Sequence, residues 1–295
     1  MLQGGGLMFE LFVQPFLDFQ FMRRALFGCI VIAVGATPLG VFLMLRRMSL
    51  TGDAMAHAIL PGAAVGYLIG GLSLPAMTFG GVIAGLVVAF LSGLIARTTV
   101  LKEDASLATF YIMSLALGVL IISIRGDNVD LIHILFGAVL ALNNDALLLL
   151  CAVSSVSILT LSLLFRLILL ESVDPQFLAS VSRFGGLAHY AFLALVVLNL
   201  VAGFHALGSL MVIGIMLLPA ASARLWVRSV GALVMLAFVI ALVASVIGLL
   251  ASFYFSLPSG PAIILTAGFF HLISLVLGSE GGWLPVYFRT SKVMQ

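Results

Sequence analysis

The chain has 295 residues, of which 63% are hydrophobic and only 8% are charged, with a formal net charge of +2. A soluble globular domain carries about 25% charged residues, so these few charges cannot cover a water-exposed surface of this size. The composition therefore excludes a soluble protein and indicates an integral membrane protein with many spans. Nucleic-acid binding is excluded as well, because no run contains more than two consecutive basic residues.

Apolar segments bounded by charges or by glycine and proline predict an all-α, polytopic transmembrane helix bundle of eight or nine spans. About 20 apolar residues suffice for one helix to cross the bilayer. The glycines around His205 leave open whether 190–223 is two spans or one long broken helix. Residues 131–142 are too short to span and predict a re-entrant or interfacial helix. The candidate spans, in chain order, are 25–45, 54–72, 75–96, 105–124, 145–170, 190–204, 206–223, 231–255 and 261–278.

These segments divide the chain into an outer or interfacial segment (1–22), a transmembrane domain (23–280) and a C-terminal tail (281–295). Orientation follows from the basic residues, which concentrate on the cytoplasmic side of membrane proteins. If 171–189 is cytoplasmic, most basic residues lie inside, and those left outside are Arg23, Arg24 and Arg125. The inside set is Arg46, Arg47, Arg97, Lys102, Arg166, Arg183, Arg224, Arg228, Arg289 and Lys292.

The longest polar connection, 171–189, predicts a cytoplasmic docking element. Phe177, Leu178 and Val181 share one side of a short helix by their spacing. A short amphipathic helix of this kind suits contact with a soluble partner, although an ordinary loop fits the composition equally well.

One polar motif stands at the start of the second predicted span, where Asp53 and His57 lie four residues apart. An ionisable residue within a membrane is costly unless it is used or paired. On a helix this spacing places both side chains on one face, where a carboxylate oxygen and an imidazole nitrogen suit one divalent cation. Two ligands make a weak site that can release its ion. The same spacing also suits a simple ion pair at a helix end, and spacing alone favours neither interpretation.

The residues after this motif predict a broken and closely packed helix. Pro61 interrupts the helix just beyond His57, and broken helices at membrane depth usually line cavities. A ladder of small residues on a different face predicts close contact with another helix. The ladder consists of Gly62, Gly66 and Gly70.

Two further histidines, His205 and His133, lie near predicted outer turns. Both positions suit contact with an ion that arrives from outside, although a surface loop is the simpler account of His133.

Several catalytic signatures are absent from the sequence. It contains no Gly-Lys dipeptide and hence no phosphate-binding loop of the Walker type. It also lacks His-Glu-x-x-His and Gly-x-Ser-x-Gly. We therefore expect no enzymatic activity in this chain, and any ATP that drives it must be hydrolysed on a separate subunit.

Residues 45–62, which include Gly52-Asp53-Ala54, His57-Ala58 and Leu60-Pro61-Gly62, resemble the signature of the bacterial zinc/manganese ABC transporter permeases. Further blocks resemble this family in the same order along the chain, and one departure is Ala56, where these permeases usually carry serine. The further blocks are 135–137, 208–212, 219–221 and 257–262.

The resemblance implies the permease core of the vitamin B12 importers, in a subunit that imports Zn²⁺ or Mn²⁺ across the bacterial cytoplasmic membrane. It also implies a homodimer of permeases, two ATP-binding subunits and an extracytoplasmic metal-binding protein, with metal as cargo and no permanently bound cofactor. Asp53 and His57 match positions that line the family's ion pathway. The connection 171–189, with Asp174, matches its coupling region. The alternatives are an ABC permease for iron and a proton-coupled secondary transporter of divalent cations.

Overall fold

The computed structural model describes residues 10–71, 73–100, 103–125, 139–182 and 185–284. These ranges are almost wholly helical and contain no β-strand, so the predicted all-α fold class is confirmed. A short 3-10 turn, Val139–Ala141, precedes the helix that begins at Asn144. The helices are α1 (Gln14–Asp18), α2 (Gln20–Leu45), α3 (Thr51–Ala58), α4 (Leu60–Gly70), α5 (Leu74–Thr98), α6 (Glu103–Arg125), α7 (Asn144–Val173), α8 (Pro175–Val181), α9 (Gly185–Leu207), α10 (Ser209–Arg224), α11 (Val230–Phe255) and α12 (Ser259–Leu277).

Seven helices of the described chain are long and apolar enough to cross a membrane, namely α2, α5, α6, α7, α9, α11 and α12. The prediction of eight or nine spans is therefore too high. The segment 54–72 is interrupted at Ile59 and forms the short helices α3 and α4, while 206–223 forms the 16-residue helix α10. The stretch 190–223 contains two helices, because Gly208 turns the chain between them with φ of 91°.

Helices α2 and α9 form the centre of the bundle. Their most apolar windows are 67% and 72% buried, whereas those of α6 and α7 are only 22% buried. Helix α2 contacts α7, α9, α10 and α11, and α9 also contacts α3 and α5. The outer helices therefore present apolar side chains outward, as helices that face lipid do.

The end of α2 redirects the chain into α3. Arg47 adopts a left-handed conformation with φ of 60°, and its N–H donates to the carbonyl of Met44. The N–H of Met48 donates to the carbonyl of Leu43. These two bonds form a Schellman motif, which closes the C-terminus of a helix. Because the left-handed residue is not glycine, the turn costs about 1–2 kcal/mol.

Three glycines bring α4 into backbone contact with α5. A Cβ atom at Gly62 would overlap the carbonyl oxygen of Gly80, and one at Gly66 would overlap that of Ala76. A Cβ atom at Gly70 would lie 2.7 Å from the Cβ of Ala76. This close approach of two helices requires residues without side chains, as in other membrane helix pairs.

Gly62→Ala should destabilise the protein by about 1–3 kcal/mol, because the added methyl group forces α4 and α5 apart. The measurement is the melting temperature of the purified protein in detergent. The matched control is Gly268→Ala in α12, where a Cβ atom meets nothing within 4 Å. Equal melting temperatures for the two variants would contradict the prediction.

Candidate functional site

Asp53 and His57 lie one turn apart on α3. Nε2 of His57 is 3.7 Å from Oδ1 of Asp53. Ligand atoms lie about 2.1 Å from a bound transition metal, so two of them are at most about 4.2 Å apart. The observed separation is therefore compatible with one shared cation. The side chain of Asp53 is 58% exposed and that of His57 27% exposed, so an ion can reach both.

Helix α6 supports the interrupted segment that carries this pair. Pro61 has no N–H to donate to the carbonyl of His57, and the helix is interrupted two residues earlier, at Ile59. The hydroxyl of Ser114 donates to the next carbonyl, that of Ala58, over 2.9 Å in a buried environment. One turn earlier on α6, the ring of Tyr111 lies 6.2 Å from the ring of His57. The break therefore has a defined geometry set by α6.

The pair supplies only part of a complete ligand set. Within the described ranges, no three His, Cys, Asp or Glu side chains come together as a metal-binding group. The described residues therefore offer a cation at this pair two protein ligands of these types. This incomplete set suits an ion that must be released.

A second group of ionisable side chains, outside the predicted motif, is buried where α2, α7 and α9 meet. Nη2 of Arg46 lies 2.5 Å from Oε2 of Glu171, and Nδ1 of His189 lies 3.1 Å from Oε1 of the same carboxylate. These side chains are 6%, 9% and 6% exposed. Nε of Arg46 also donates to the hydroxyl of Ser172 over 3.0 Å, and its guanidinium lies 4.1 Å above the ring of Phe192. We call these residues the buried charge cluster.

The sequence-based prediction placed Glu171 and His189 in a polar connection, which is why the cluster was missed. In the structure α7 continues to Val173 and α9 already begins at Gly185. The available signal was an acidic residue directly after the apolar run that ends in Leu170.

The coupling region contains α8, a short helix capped by Asp174. Oδ1 of Asp174 accepts a hydrogen bond of 2.9 Å from the N–H of Phe177. Phe177 and Val181 are 52% and 68% exposed, whereas Leu178 is only 2% exposed. The prediction that all three face a partner is therefore wrong for Leu178. That residue lies about 100° around the helix from Phe177, on the side where α8 contacts α7 and α9.

His205 lies in the last turn of α9, half-buried, with its Nδ1 2.9 Å from the carbonyl oxygen of Val201. This contact holds the imidazole of His205 against its own helix. His133 and the motif at 135–137 lie outside the described residues.

The seven long apolar helices define a multi-pass membrane protein. The model of the ABC 3 transport family matches residues 18–278, and the chain belongs to this family. It is thus a permease subunit of the ABC type, in the bacterial cytoplasmic membrane.

Its relatives match over nearly their whole length. The manganese import system permease protein ScaB of Streptococcus gordonii is 32% identical over 94% of this chain and 98% of its own. The chelated iron transport system membrane protein YfeD of Yersinia pestis is 28% identical over 92% of this chain and 89% of its own. The structure of PsaBC from Streptococcus pneumoniae in complex with Fab has a TM-score of 0.81 at 30% identity, over 95% of this chain and 98% of that chain. The family predicted from the sequence is confirmed.

Glu171→Gln should lower the free energy of unfolding by about 3–5 kcal/mol, because it removes the carboxylate that neutralises buried Arg46. Glu280→Gln is the matched control. Glu280 pairs with Arg228 over 2.6 Å, but the two side chains are 30% and 72% exposed, and such pairs contribute at most about 1 kcal/mol. Denaturation in mixed micelles measures both variants. A loss as small as that of the control would show that the buried charge cluster does not hold the three helices together.

Proposed function

We propose that this chain is the membrane permease of an ATP-driven importer of divalent transition-metal ions, with Mn²⁺ as the preferred cargo. The observation that carries the proposal is the Asp53–His57 pair on an interrupted helix of an ABC permease. The relative that is named a manganese import permease supports Mn²⁺ over Zn²⁺ and iron, the other cargoes that these donors accept.

Asp53 and His57 have different roles in this proposal. A divalent cation that loses water in a low-dielectric pathway needs a full negative charge close by, which Asp53 supplies. Neutral His57 adds a nitrogen ligand, and it must be unprotonated to do so.

A second copy of the permease is the proposed source of the remaining ligands. The exposed side chain of Asp53 and the partly exposed side chain of His57 reach the surface of the single chain. A homodimer that joins these surfaces would bring two such pairs together and shield the ion from lipid. An extracytoplasmic metal-binding protein delivers the ion in this scheme.

ATP hydrolysis is assigned to two separate subunits, since the chain lacks a Walker-type loop. Each would dock on α8 of one permease. The exposed Phe177 and Val181 form the contact surface, while the buried Leu178 fixes α8 to the bundle.

Asp53→Asn and His57→Ala should each reduce Mn²⁺ uptake by at least about tenfold, because each variant removes one of the two ligands. One good polar contact contributes about 1.4 kcal/mol, which corresponds to a factor of about ten in affinity. The assay is ATP-dependent uptake by proteoliposomes that contain the permease and its ATPase. Assembly with the ATPase should be unchanged.

Asp145→Asn, at an exposed carboxylate in the first turn of α7, is the matched control and should transport normally. Wild-type uptake by both site variants would reduce the pair to a helix-end ion pair. Uptake that persists without ATP and follows a proton gradient would identify a secondary transporter instead. Parallel assays with Zn²⁺ and Fe²⁺ identify the cargo.

The double variant Phe177→Ala, Val181→Ala should weaken binding of the ATPase but leave the stability of the permease unchanged, because both side chains are exposed. Leu178→Ala should instead destabilise the permease by about 2–5 kcal/mol, as deletions in a packed core do. Co-purification and thermal denaturation separate the two effects.

The side chain of Leu163 on α7 is 75% exposed. The variant Leu163→Ala is therefore the control for the loss of an exposed apolar side chain. Full ATPase binding by the double variant would exclude α8 as the docking surface.

A further inference from the structure

A basic pocket of about 490 Å³ lies where the end of α10, the start of α11 and the segment after α12 meet. Arg224 and Arg228 line it on one side, and Glu280 and Gly281 line it on the other. Its volume is typical of small-molecule sites, which span about 300–1,000 Å³. Because two arginines face one carboxylate, the pocket carries an excess of positive charge.

Hydrogen bonds hold the two sides of the basic pocket together. The N–H groups of Glu280 and Gly281 both donate to the carbonyl of Leu225, over 2.9 and 3.3 Å. The hydroxyl of Ser279 donates to the carbonyl of Trp226 over 3.0 Å. The backbone of the pocket is therefore preformed, so a ligand does not have to order it.

The two arginines of the pocket differ in their partners. Arg228 is neutralised by Glu280, since Nη2 of the arginine lies 2.6 Å from Oε2 of the carboxylate. Arg224 is exposed, and within the described ranges no carboxylate pairs with it. Its guanidinium is therefore available to an anion, and the geometry of this group matches the oxygens of a phosphate.

The pocket lies next to a helix that presents an apolar face outward. Four exposed apolar residues of α12 recur at the spacing of one helix face. They extend over about 16 Å of the helix, which is close to half of a hydrocarbon core of about 30 Å. The last of them lies four residues before Glu280, so a lipid chain on this face can place its head group at the pocket. This apolar stripe consists of Leu265, Phe269, Leu272 and Val276.

Both tryptophans of the chain flank the basic pocket. Trp226 directly follows Leu225, and the exposed Trp283 lies two residues after Gly281. Tryptophan is enriched at the level of the lipid head groups. The basic residues here are also predicted to lie on the cytoplasmic side, where anionic lipids attract arginine. Both features favour a lipid head group as the ligand.

The basic pocket is separate from the surface assigned to the ATPase. Helix α8 contacts α7 and α9, whereas α12 packs mainly on α10 and α11, and α2 lies between the two groups. We propose that the basic pocket binds the phosphate of an anionic phospholipid, with an acyl chain of the same lipid along the apolar stripe of α12. Arg224 is the main ligand of the phosphate, and Arg228 adds to the local positive charge.

Quenching of tryptophan fluorescence by brominated lipids tests this proposal, because both tryptophans of the permease lie beside the pocket. The full-length permease in detergent is titrated with phosphatidylglycerol brominated on its acyl chains, and in parallel with brominated phosphatidylcholine, which has no net charge. We expect saturable quenching at lower concentrations of the anionic lipid. Arg224→Gln should weaken the apparent affinity for this lipid by about fivefold, since one arginine near an anionic membrane contributes about 1 kcal/mol.

Arg23→Gln is the matched control, because it removes the charge of an exposed arginine at the other end of the bundle. Arg23 lies near the start of α2, whereas Val41 near the end of α2 packs with Ala223 beside the pocket. This variant should bind the anionic lipid as the wild type does. Both variants should melt at the temperature of the wild type in detergent without lipid, because both side chains are exposed.

Three results would overturn the lipid site. Equal quenching by the two lipids would show that the pocket does not select an anionic head group. Relief of the quenching by inorganic phosphate, at concentrations similar to those of the lipid, would assign the pocket to a free phosphate. Wild-type lipid affinity of Arg224→Gln would exclude this arginine as a lipid ligand, and weaker co-purification of the ATPase with that variant would assign the pocket to the ATPase.

Discussion

The buried charge cluster of Arg46, Glu171 and His189 is the constraint on which the rest of the structure depends. Charges out of contact with water are tolerated only when their partners stay in place, so the ends of α2 and α7 and the start of α9 are held in one arrangement. Helix α3, with Asp53, begins five residues after Arg46, and α8 begins four residues after Glu171. One set of contacts therefore positions both the ion pair and the surface assigned to the ATPase.

The ion pair depends on a second constraint, the break between α3 and α4. A continuous helix would satisfy its own carbonyl groups, whereas the interruption at Ile59, just before Pro61, leaves some of them in need of donors. Ser114 meets this need at Ala58, and Tyr111 on the same face of α6 lies against His57. Because α6 supports the break, its position sets the geometry around the Asp53–His57 pair. The backbone contact between α4 and α5 fixes the other side of the break.

Local patterns predicted the helical class, the seven long helices, the Asp–His spacing and the family, because each depends on residues close together in sequence. The span count was too high, because apolar length counted 54–72 and 206–223 as spans, although Pro61 had already predicted a break in the first of them. The buried charge cluster joins residues more than 100 positions apart, as in the Arg46–Ser172 bond, and no local pattern encodes such a pairing. The direction of Leu178 was missed for a related reason. Periodicity describes the faces of a short helix, but only tertiary contacts decide which face is buried.

The exposure of Asp53 bears on how this chain functions in a membrane. Just beyond Pro61, helices α4, α5 and α6 form an apolar groove of about 620 Å³ that suits contact with lipid or another apolar surface. A carboxylate in direct contact with lipid at the membrane centre would cost about 2.5–3.5 kcal/mol. The surface that carries Asp53 must therefore face water or protein rather than hydrocarbon. The second permease chain that we propose would meet this requirement, because it would cover the groove and enclose the ion between two acidic side chains. The exposure of Asp53 thus suits the pathway between two chains that we propose.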